Sequence, residues 1–317
     1  MKTIKKIMFG LVLSAFMVIN VYAQPKSEII DDKDTKINWA EADTLYTFQF
    51  DTESNSWVFF QREIRRFNEK KIPTENFVQN WNIAEKAWYN YLKVNYTYDK
   101  YGNELEKITQ EWDVNYNNWV NANLVTNTYK GRQKEEILFQ EWKKPTNEWY
   151  NIMKYLIKYT DSELEKSITV SLYNGITQEW DNHKQFNMEF SMPFSPPTTV
   201  ISETWKNDTW KEDGKYELQY NGRSYKTQEI RYTWNDGFGD WIEGVKMEMT
   251  YDKKGNQLDY QEMKFDYQKS EWAKHSKNEA IYNENGYMTE KIEYIWNRST
   301  NQWEVAGKFR FTTDAKI

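Results

Sequence analysis

Tryptophan recurs along this chain at a nearly fixed interval. Trp57, Trp88, Trp119 and Trp149 are 31, 31 and 30 residues apart, and Trp210, Trp241, Trp272 and Trp303 follow at intervals of 31. The 61 residues from Trp149 to Trp210 amount to two periods, so one register runs through almost the whole chain. A second aromatic series precedes the first by seven residues: Phe50, Trp81, Trp112, Trp142, Trp234, Phe265 and Trp296. A third follows it by ten: Phe67, Tyr98, Tyr129, Tyr159, Tyr220, Tyr251 and Tyr282. Self-similarity at such a period marks a repeat architecture, in which each unit buries its apolar surface against its neighbours.

Each unit contains two turn signals. One lies between the paired aromatics, as in Trp112-Asp-Val-Asn-Tyr-Asn-Asn-Trp119, where Asn and Asp accept turn dihedrals or bond their own backbone. The other follows the tyrosine, as in Tyr98-Asp-Lys-Tyr-Gly-Asn103 and Tyr251-Asp-Lys-Lys-Gly-Asn256, where glycine suits a positive φ. Two turns per unit leave two strands of roughly ten residues. The stretches alternate with period two: Trp241, Val245, Met247, Met249 and Tyr251 share parity against Lys246, Glu248 and Thr250. Trp88, Leu92, Val94, Tyr96 and Tyr98 repeat the rule, as do the returning sets Ile230, Tyr232, Trp234 and Ile292, Tyr294, Trp296. The expected fold is all-β: an antiparallel meander of about 17 strands built from two-strand repeats of ~31 residues. At ~4.8 Å per strand an open sheet would be about 80 Å wide, so it is expected to curl or split. A membrane barrel is disfavoured because neither parity class stays apolar; Asn121, Asn123 and Asn127 interrupt one, Lys246 and Glu248 the other.

The repeat keeps its length but loses its form between Trp149 and Trp210. Glu179-Trp180 supplies the expected dipeptide about seven residues late, and Phe186, Met188, Phe190, Met192 and Phe194 then alternate up to Ser195-Pro196-Pro197. No charge occurs from Phe190 to Ser202, and proline cannot donate to a central ladder. This divides the chain into a first β-repeat lobe at 46–177, an irregular insertion or hinge at 178–202, and a second lobe at 203–317. Residues 1–23 read as a secretory signal, with Lys2, Lys5 and Lys6 before an apolar run that ends in Val21-Tyr22-Ala23. Residues 24–44 read as a polar, flexible leader.

The formal net charge of −6 becomes −9 once the three lysines of that signal are removed. A mildly acidic chain without a basic cluster is not expected to bind nucleic acid or anionic membrane. With no cysteine, disulfides, thiolate metal sites and a lipoprotein anchor are excluded. His183 and His275 are the sole histidines and lie in no recognisable motif, so no catalytic residue, metal or cofactor is expected. Glu111, Glu141 and Glu179 each precede a tryptophan, which makes them repeat positions rather than a singular carboxylate pair. Asp99 and Asp252 read as turn formers, one carboxylate per loop being too few for a calcium cage.

Aromatic rings remain. Paired tryptophans pack across hairpins, but a subset left in the open would stack on sugar or peptide. The candidate ligand-binding residues are Trp112, Trp119, Trp142 and Trp149, together with Phe186, Phe190 and Phe194 at the break. The expected function is a non-enzymatic exported protein that presents an aromatic surface to a glycan, peptide or cell-envelope partner. The alternatives are a structural spacer self-associating through 186–197 and a carboxylate-pair enzyme acting on polysaccharide.

The alternation of Tyr-Asp-x-x-Gly-Asn turns with Trp-Asn/Asp-…-Trp hairpins resembles the tandem repeats of secreted Bacteroidetes proteins, and distantly the tyrosine-aspartate repeats of bacterial surface proteins and toxins. The likeness covers about 46–317 apart from 160–204; Tyr98 to Asn103 and Tyr251 to Asn256 fit best, while Tyr129-Lys-Gly-Arg and Tyr159-Thr-Asp-Ser depart from it. It implies an exported β-repeat protein, whether periplasmic, surface-bound or released, and carries over no catalytic residue.

Overall fold

The computed structural model describes residues 43–192 and 194–313. The signal peptide expected at 1–23 and nearly all of the leader expected at 24–44 lie outside the described residues. The strands in order are β1 (Thr44–Asp51), β2 (Ser56–Phe67), β3 (Pro73–Asn82), β4 (Ala87–Tyr98), β5 (Glu104–Asp113) and β6 (Asn118–Lys130). Next come β7 (Gln133–Lys143), β8 (Glu148–Tyr159), β9 (Glu165–Asn174), β10 (Glu179–Glu189), β11 (Thr199–Lys206) and β12 (Thr209–Tyr220). The last six are β13 (Lys226–Asn235), β14 (Asp240–Tyr251), β15 (Gln257–Asp266), β16 (Glu271–Tyr282), β17 (Met288–Asn297) and β18 (Gln302–Thr312).

Each strand pairs antiparallel with the next, and β1 pairs antiparallel with β18 from Tyr46↔Thr312 to Gln49↔Phe309. The sheet is therefore a closed, 18-stranded barrel. This corrects the expectation of about 17 strands in a curled or split sheet. The repeat dictates which strands are neighbours but is silent on whether the two ends meet. An even strand count makes the first and last strands antiparallel, and closure satisfies the backbone groups that two free edges would leave open.

Local chemistry repeats as regularly as the sequence. At the tryptophan end, the residue two before the second aromatic takes a positive φ at Asn55, Lys86, Asn117, Asn147, Gln178, Gly239, Ser270 and Asn301. An Asp or Asn at the strand end steadies many of these turns: Asp113 Oδ1 accepts from the amides of Asn115 and Tyr116, and Asn174 Oδ1 from those of Ile176 and Thr177. At the tyrosine end, Asp99 Oδ1 accepts from the Tyr101 and Asn103 amides at 2.8 and 2.9 Å. Its partner Gly102 sits at φ +85°. Asp99 and Asp252 are thus turn formers, as their position in the repeat implied. Tyr129, Tyr159, Tyr251 and Tyr282 donate their hydroxyls to the carbonyls of Glu104, Lys134, Lys226 and Gln257, each 25 residues earlier, at 2.8–3.0 Å.

Every hairpin also contains a β-bulge three residues after its second aromatic. Phe60, Tyr91, Ala122, Ile152, His183, Asp213, Gly244, His275 and Ala306 are the extra residues. A bulge inverts the alternation beyond it. Trp241 pairs with Trp234, whereas Met247 pairs with Glu229, which lies on the other face of β13. The parity sets joining Trp241 to Met247 and Trp88 to Val94 are therefore split between faces. The sets Ile230, Tyr232, Trp234 and Ile292, Tyr294, Trp296 stay together because no bulge interrupts them.

Burial shows which face is inner. Between the bulges and the tyrosine end, Ile137, Met153, Tyr155, Ile157, Ile168, Val170, Phe186, Val200 and Leu218 form one buried cluster drawn from β7 to β12. The alternate residues Leu156, Lys158 and Thr250 are exposed. The tryptophans belong to the opposite, outer face. Inner positions above the bulges, such as Tyr89 and Ile295, are exposed, so the interior is packed at the tyrosine end and open to water at the other.

The stretch 178–202, where an irregular insertion was expected, holds β10, the loop 190–198 and the start of β11. β10 is hydrogen-bonded to β9 and β11, so the sheet runs on between 46–177 and 203–317. Trp180 pairs with Tyr173 and stands 31 residues after Trp149, which places it in the main tryptophan series rather than seven residues late. A tyrosine in place of the usual first tryptophan concealed the unit.

Candidate functional site

Nine aromatic pairs form a belt on the outer face at one end of the barrel. Trp81–Trp88, Trp112–Trp119, Trp142–Trp149, Trp205–Trp210, Trp234–Trp241 and Trp296–Trp303 have ring centroids 4.9–5.2 Å apart. Phe50–Trp57, Tyr173–Trp180 and Phe265–Trp272 fill the remaining hairpins at 5.1–5.4 Å. All nine meet edge to face, the geometry that sets the positive edge of one ring against the negative face of the other. Each described tryptophan is partly buried and none is fully covered.

Most of the belt carries a cation. Arg62, Lys154, Lys215, Lys246 and Lys277 each lie five residues after their own unit's tryptophan and reach over that of the next hairpin. They sit 4.8, 4.7, 6.0, 5.9 and 5.5 Å from the rings of Trp88, Trp180, Trp241, Trp272 and Trp303. Arg310 covers Trp57 at 4.4 Å and carries the pattern across the seam. One arc differs. Lys93, at the equivalent position, pairs with Glu75 at 3.1 Å, and Leu124 replaces the cation in the next unit. Among the described residues no cation lies over Trp112, Trp119, Trp142 or Trp149.

A second repeated device lies beside the two hairpins of this arc and the neighbouring, Arg62-covered Trp81–Trp88 hairpin. Gln79 donates to Asn90 at 2.7 Å, Gln110 to Asn121 at 2.9 Å and Gln140 to Asn151 at 2.9 Å, each bridge beside its Trp–Trp pair on the outer face. A Gln–Asn bridge uses one donor and one acceptor; the Gln79 carbonyl accepts from Arg62 at 2.6 Å, whereas the Gln110 and Gln140 bridges leave a carbonyl and amide hydrogens for a ligand. Two shallow depressions flank the rings. Trp119 lines one of about 250 Å³ with Ile64, Phe77 and Lys93, and Trp112 lines one of about 230 Å³ with Asn115, Asn121 and Lys144. The structure thus brings Trp112, Trp119, Trp142 and Trp149 together as neighbours on one surface. Sequence reasoning missed the amide bridges and the cations, although both recur at fixed offsets from the tryptophans.

The three phenylalanines separate. Phe186 is buried in the core cluster and offers nothing to a partner. Phe190 and Phe194 lie at the opposite end of the barrel, in the loop 190–198. There they line a cavity of about 240 Å³ with Leu164, Met188, Pro196, Pro197 and Arg223. Phe194 is exposed and held at φ +64°, a conformation costly for a bulky side chain.

Polar groups elsewhere are tied into structure. Asp213 accepts from Ser202 at 2.7 Å, from Thr204 at 2.5 Å and from Lys184 at 3.2 Å. Burial alone would raise its pKa, but these hydrogen bonds and the Lys184 charge hold it below the ordinary carboxylate range. Neighbouring His183 is pushed down by burial. Ser202 is fully buried, so this Ser, His and Asp grouping presents no accessible nucleophile. Inside the barrel, Glu229 bridges Lys226 at 2.5 Å and Arg231 at 2.6 Å.

No protein-family model matches this chain, and no curated protein does. Among solved structures, a porin-like protein from Bacteroides uniformis is similar at a TM-score of 0.39 and 7% identity, covering 85% of this chain and 96% of that one. A protein of unknown function from Bacteroides fragilis is similar at 0.36 and 14% identity, over 39% of this chain and 89% of that one. A DUF3836 family protein from Bacteroides vulgatus is similar at 0.25 and 22%, over 28% and 90%. Likenesses this distant carry no argument about function.

Proposed function

We propose that this chain is an exported, non-enzymatic β-barrel that binds a polymeric glycan on its outer belt, across Trp112, Trp119, Trp142 and Trp149. The observation that carries the reading is the coincidence of uncovered rings with amide bridges on adjacent hairpins. Sugar rings present C–H faces that stack on indole and hydroxyls that take amide donors and acceptors, and this arc supplies both. The motif recurs every two strands, about 10 Å apart at ~4.8 Å per strand. A repeating polymer therefore meets a repeating surface, and several weak contacts act as one multivalent site. Outward ion pairs such as Lys215–Glu217, Lys246–Glu248 and Lys277–Glu279 favour a barrel immersed in water over one that spans a bilayer.

The test is retention on a panel of insoluble and soluble polysaccharides. Trp112→Ala and Trp142→Ala should each weaken binding by about tenfold, the loss expected for one aromatic contact of about 1.4 kcal/mol. Trp241→Ala, on the cation-covered side, should leave it unchanged. Equal losses from all three variants, or no retained glycan, would remove the proposal.

A further inference from the structure

Turn tips at the tryptophan end carry exposed apolar side chains; among them Tyr267 also packs on Phe265 and donates its hydroxyl to the Glu243 carbonyl. Ile176 is 95% exposed and Phe238 82%, and Ile83, Val114, Tyr116 and Tyr267 are each more than half exposed. They occupy five different turns, and the meander places every one of these turns at the same end of the barrel. Scattered exposed hydrophobics are ordinary on a protein surface. A ring of them on one rim is not, because polar residues suit turns better and fill the turns at 51–56 and 297–302.

We infer that this rim docks on a lipid leaflet, with the tips inserted among the acyl chains and the aromatic belt at headgroup level. Three features select lipid over a folded protein. The tips are separate fingers, with neighbouring turns about 10 Å apart around the ring, so they match a fluid phase better than a rigid pocket. Directly behind them stands a belt of tryptophan, the residue that favours the membrane–water boundary, where indole has both an apolar body and a polar N–H. The belt's cations, Arg62, Lys154, Lys215 and Lys246 among them, lie at the level of headgroup phosphates. Charges beside the tips are partly neutralised in place, Lys144 pairing with Asp113 and Lys269 with Glu271. The contact is interfacial and needs no strand to cross the bilayer. The turn tips carry this inference; it shares the belt tryptophans with the glycan reading, and the tip variants test it without touching them.

Flotation of the full chain with phosphatidylcholine vesicles tests it. The protein should float with the vesicles, and the double change Ile176→Ser with Phe238→Ser should reduce the bound fraction by about tenfold. Because both side chains are exposed, the variant should keep its melting temperature and circular dichroism. Met192→Ser with Phe194→Ser, at the other end, should leave flotation unchanged. Tryptophan fluorescence should be quenched more by lipid brominated near the headgroup than by lipid brominated deep in the chain. Failure of the parent protein to float, flotation indifferent to the tip changes, or loss confined to the Met192/Phe194 variant would each overturn the inference. So would tip-dependent capture by a folded protein with no vesicle binding.

Discussion

Glu229 shows what a single carboxylate does inside this barrel. Burial alone would raise its pKa, but the charges and hydrogen bonds of Lys226 and Arg231 outweigh that and hold it below its ordinary value. A depressed folded-state pKa contributes stability that is present above the unfolded pKa and lost as pH falls through the folded one. Acid unfolding should therefore begin below about pH 4.5, the ordinary range of a glutamate. Glu229→Gln should cost about 3 kcal/mol at neutral pH, because the buried Lys226 and the partly exposed Arg231 lose their counter-charge. It should also flatten the acid limb of a stability-versus-pH curve measured by urea titration. An unchanged midpoint at pH 7 would show the triad to be energetically idle. At this scale the sequence was only partly legible. The tyrosine and tryptophan series announced themselves by spacing, and Asp99 and Asp252 were readable as turn formers. The Glu229 triad was not, because Lys226 and Glu229 have opposite parity and share a face only across the extra residue Thr227. Phe186 was legible as apolar, but its burial depends on Ile168 and Val200 in neighbouring strands.

Strands and turns were the most legible level. Two hairpin signals per unit gave the strand order, since Asn, Asp and Gly supply most of the positions where the backbone takes φ > 0, with Lys86, Gln178 and Ser270 among the exceptions. The bulges were not legible. Bulge residues as different as Tyr91, Ala122, Asp213 and Gly244 share no chemistry, so simple parity was carried straight across them and put Trp241 with Met247. Their fixed offset from tryptophan is the usable signal. The turn glycines allow a graded test. Gly255 lies at φ +89°, and a Cβ there would fall 2.1 Å from the Tyr225 hydroxyl, on a ring stacked against Tyr251 at 5.1 Å. Gly102 lies at φ +85°, but its nearest neighbour would be Ile72 Cδ1 at 3.7 Å. Gly102→Ala should cost about 1 kcal/mol, the backbone penalty alone. Gly255→Ala should cost about 2–3 kcal/mol, since crowding adds to that penalty. Equal shifts in chemical denaturation would show that the tyrosine moves aside freely.

Closure belongs to the whole molecule, and no unit of sequence encodes it. Each repeat specifies a hairpin and its two neighbours; only the total of eighteen decides whether the ends can meet antiparallel. Counting about seventeen hid that parity and left an open sheet as the natural reading. The seam is also built differently from the rest. Among the described residues β1 and β18 share four paired positions, Tyr46 to Gln49 against Thr312 to Phe309, whereas β3 and β4 share eight. It is the one junction with no connecting turn, so its closure depends on those few backbone bonds and on side chains that straddle it. Arg310 over Trp57 at 4.4 Å and Phe60 against Phe309 at 6.1 Å are two of these. The barrel should therefore open there first. Amide exchange should be fastest at paired positions in 309–312 and slowest in β8 to β10, where the core is densest. Removing β18 by ending the chain at Asn301 would leave β17 and β1 as long free edges, and such edges pair with other chains. That truncated protein should form concentration-dependent oligomers by size exclusion while the full chain does not. A truncated chain that stays monomeric with undiminished exchange protection in β1 would show that the ring's integrity does not rest on the seam.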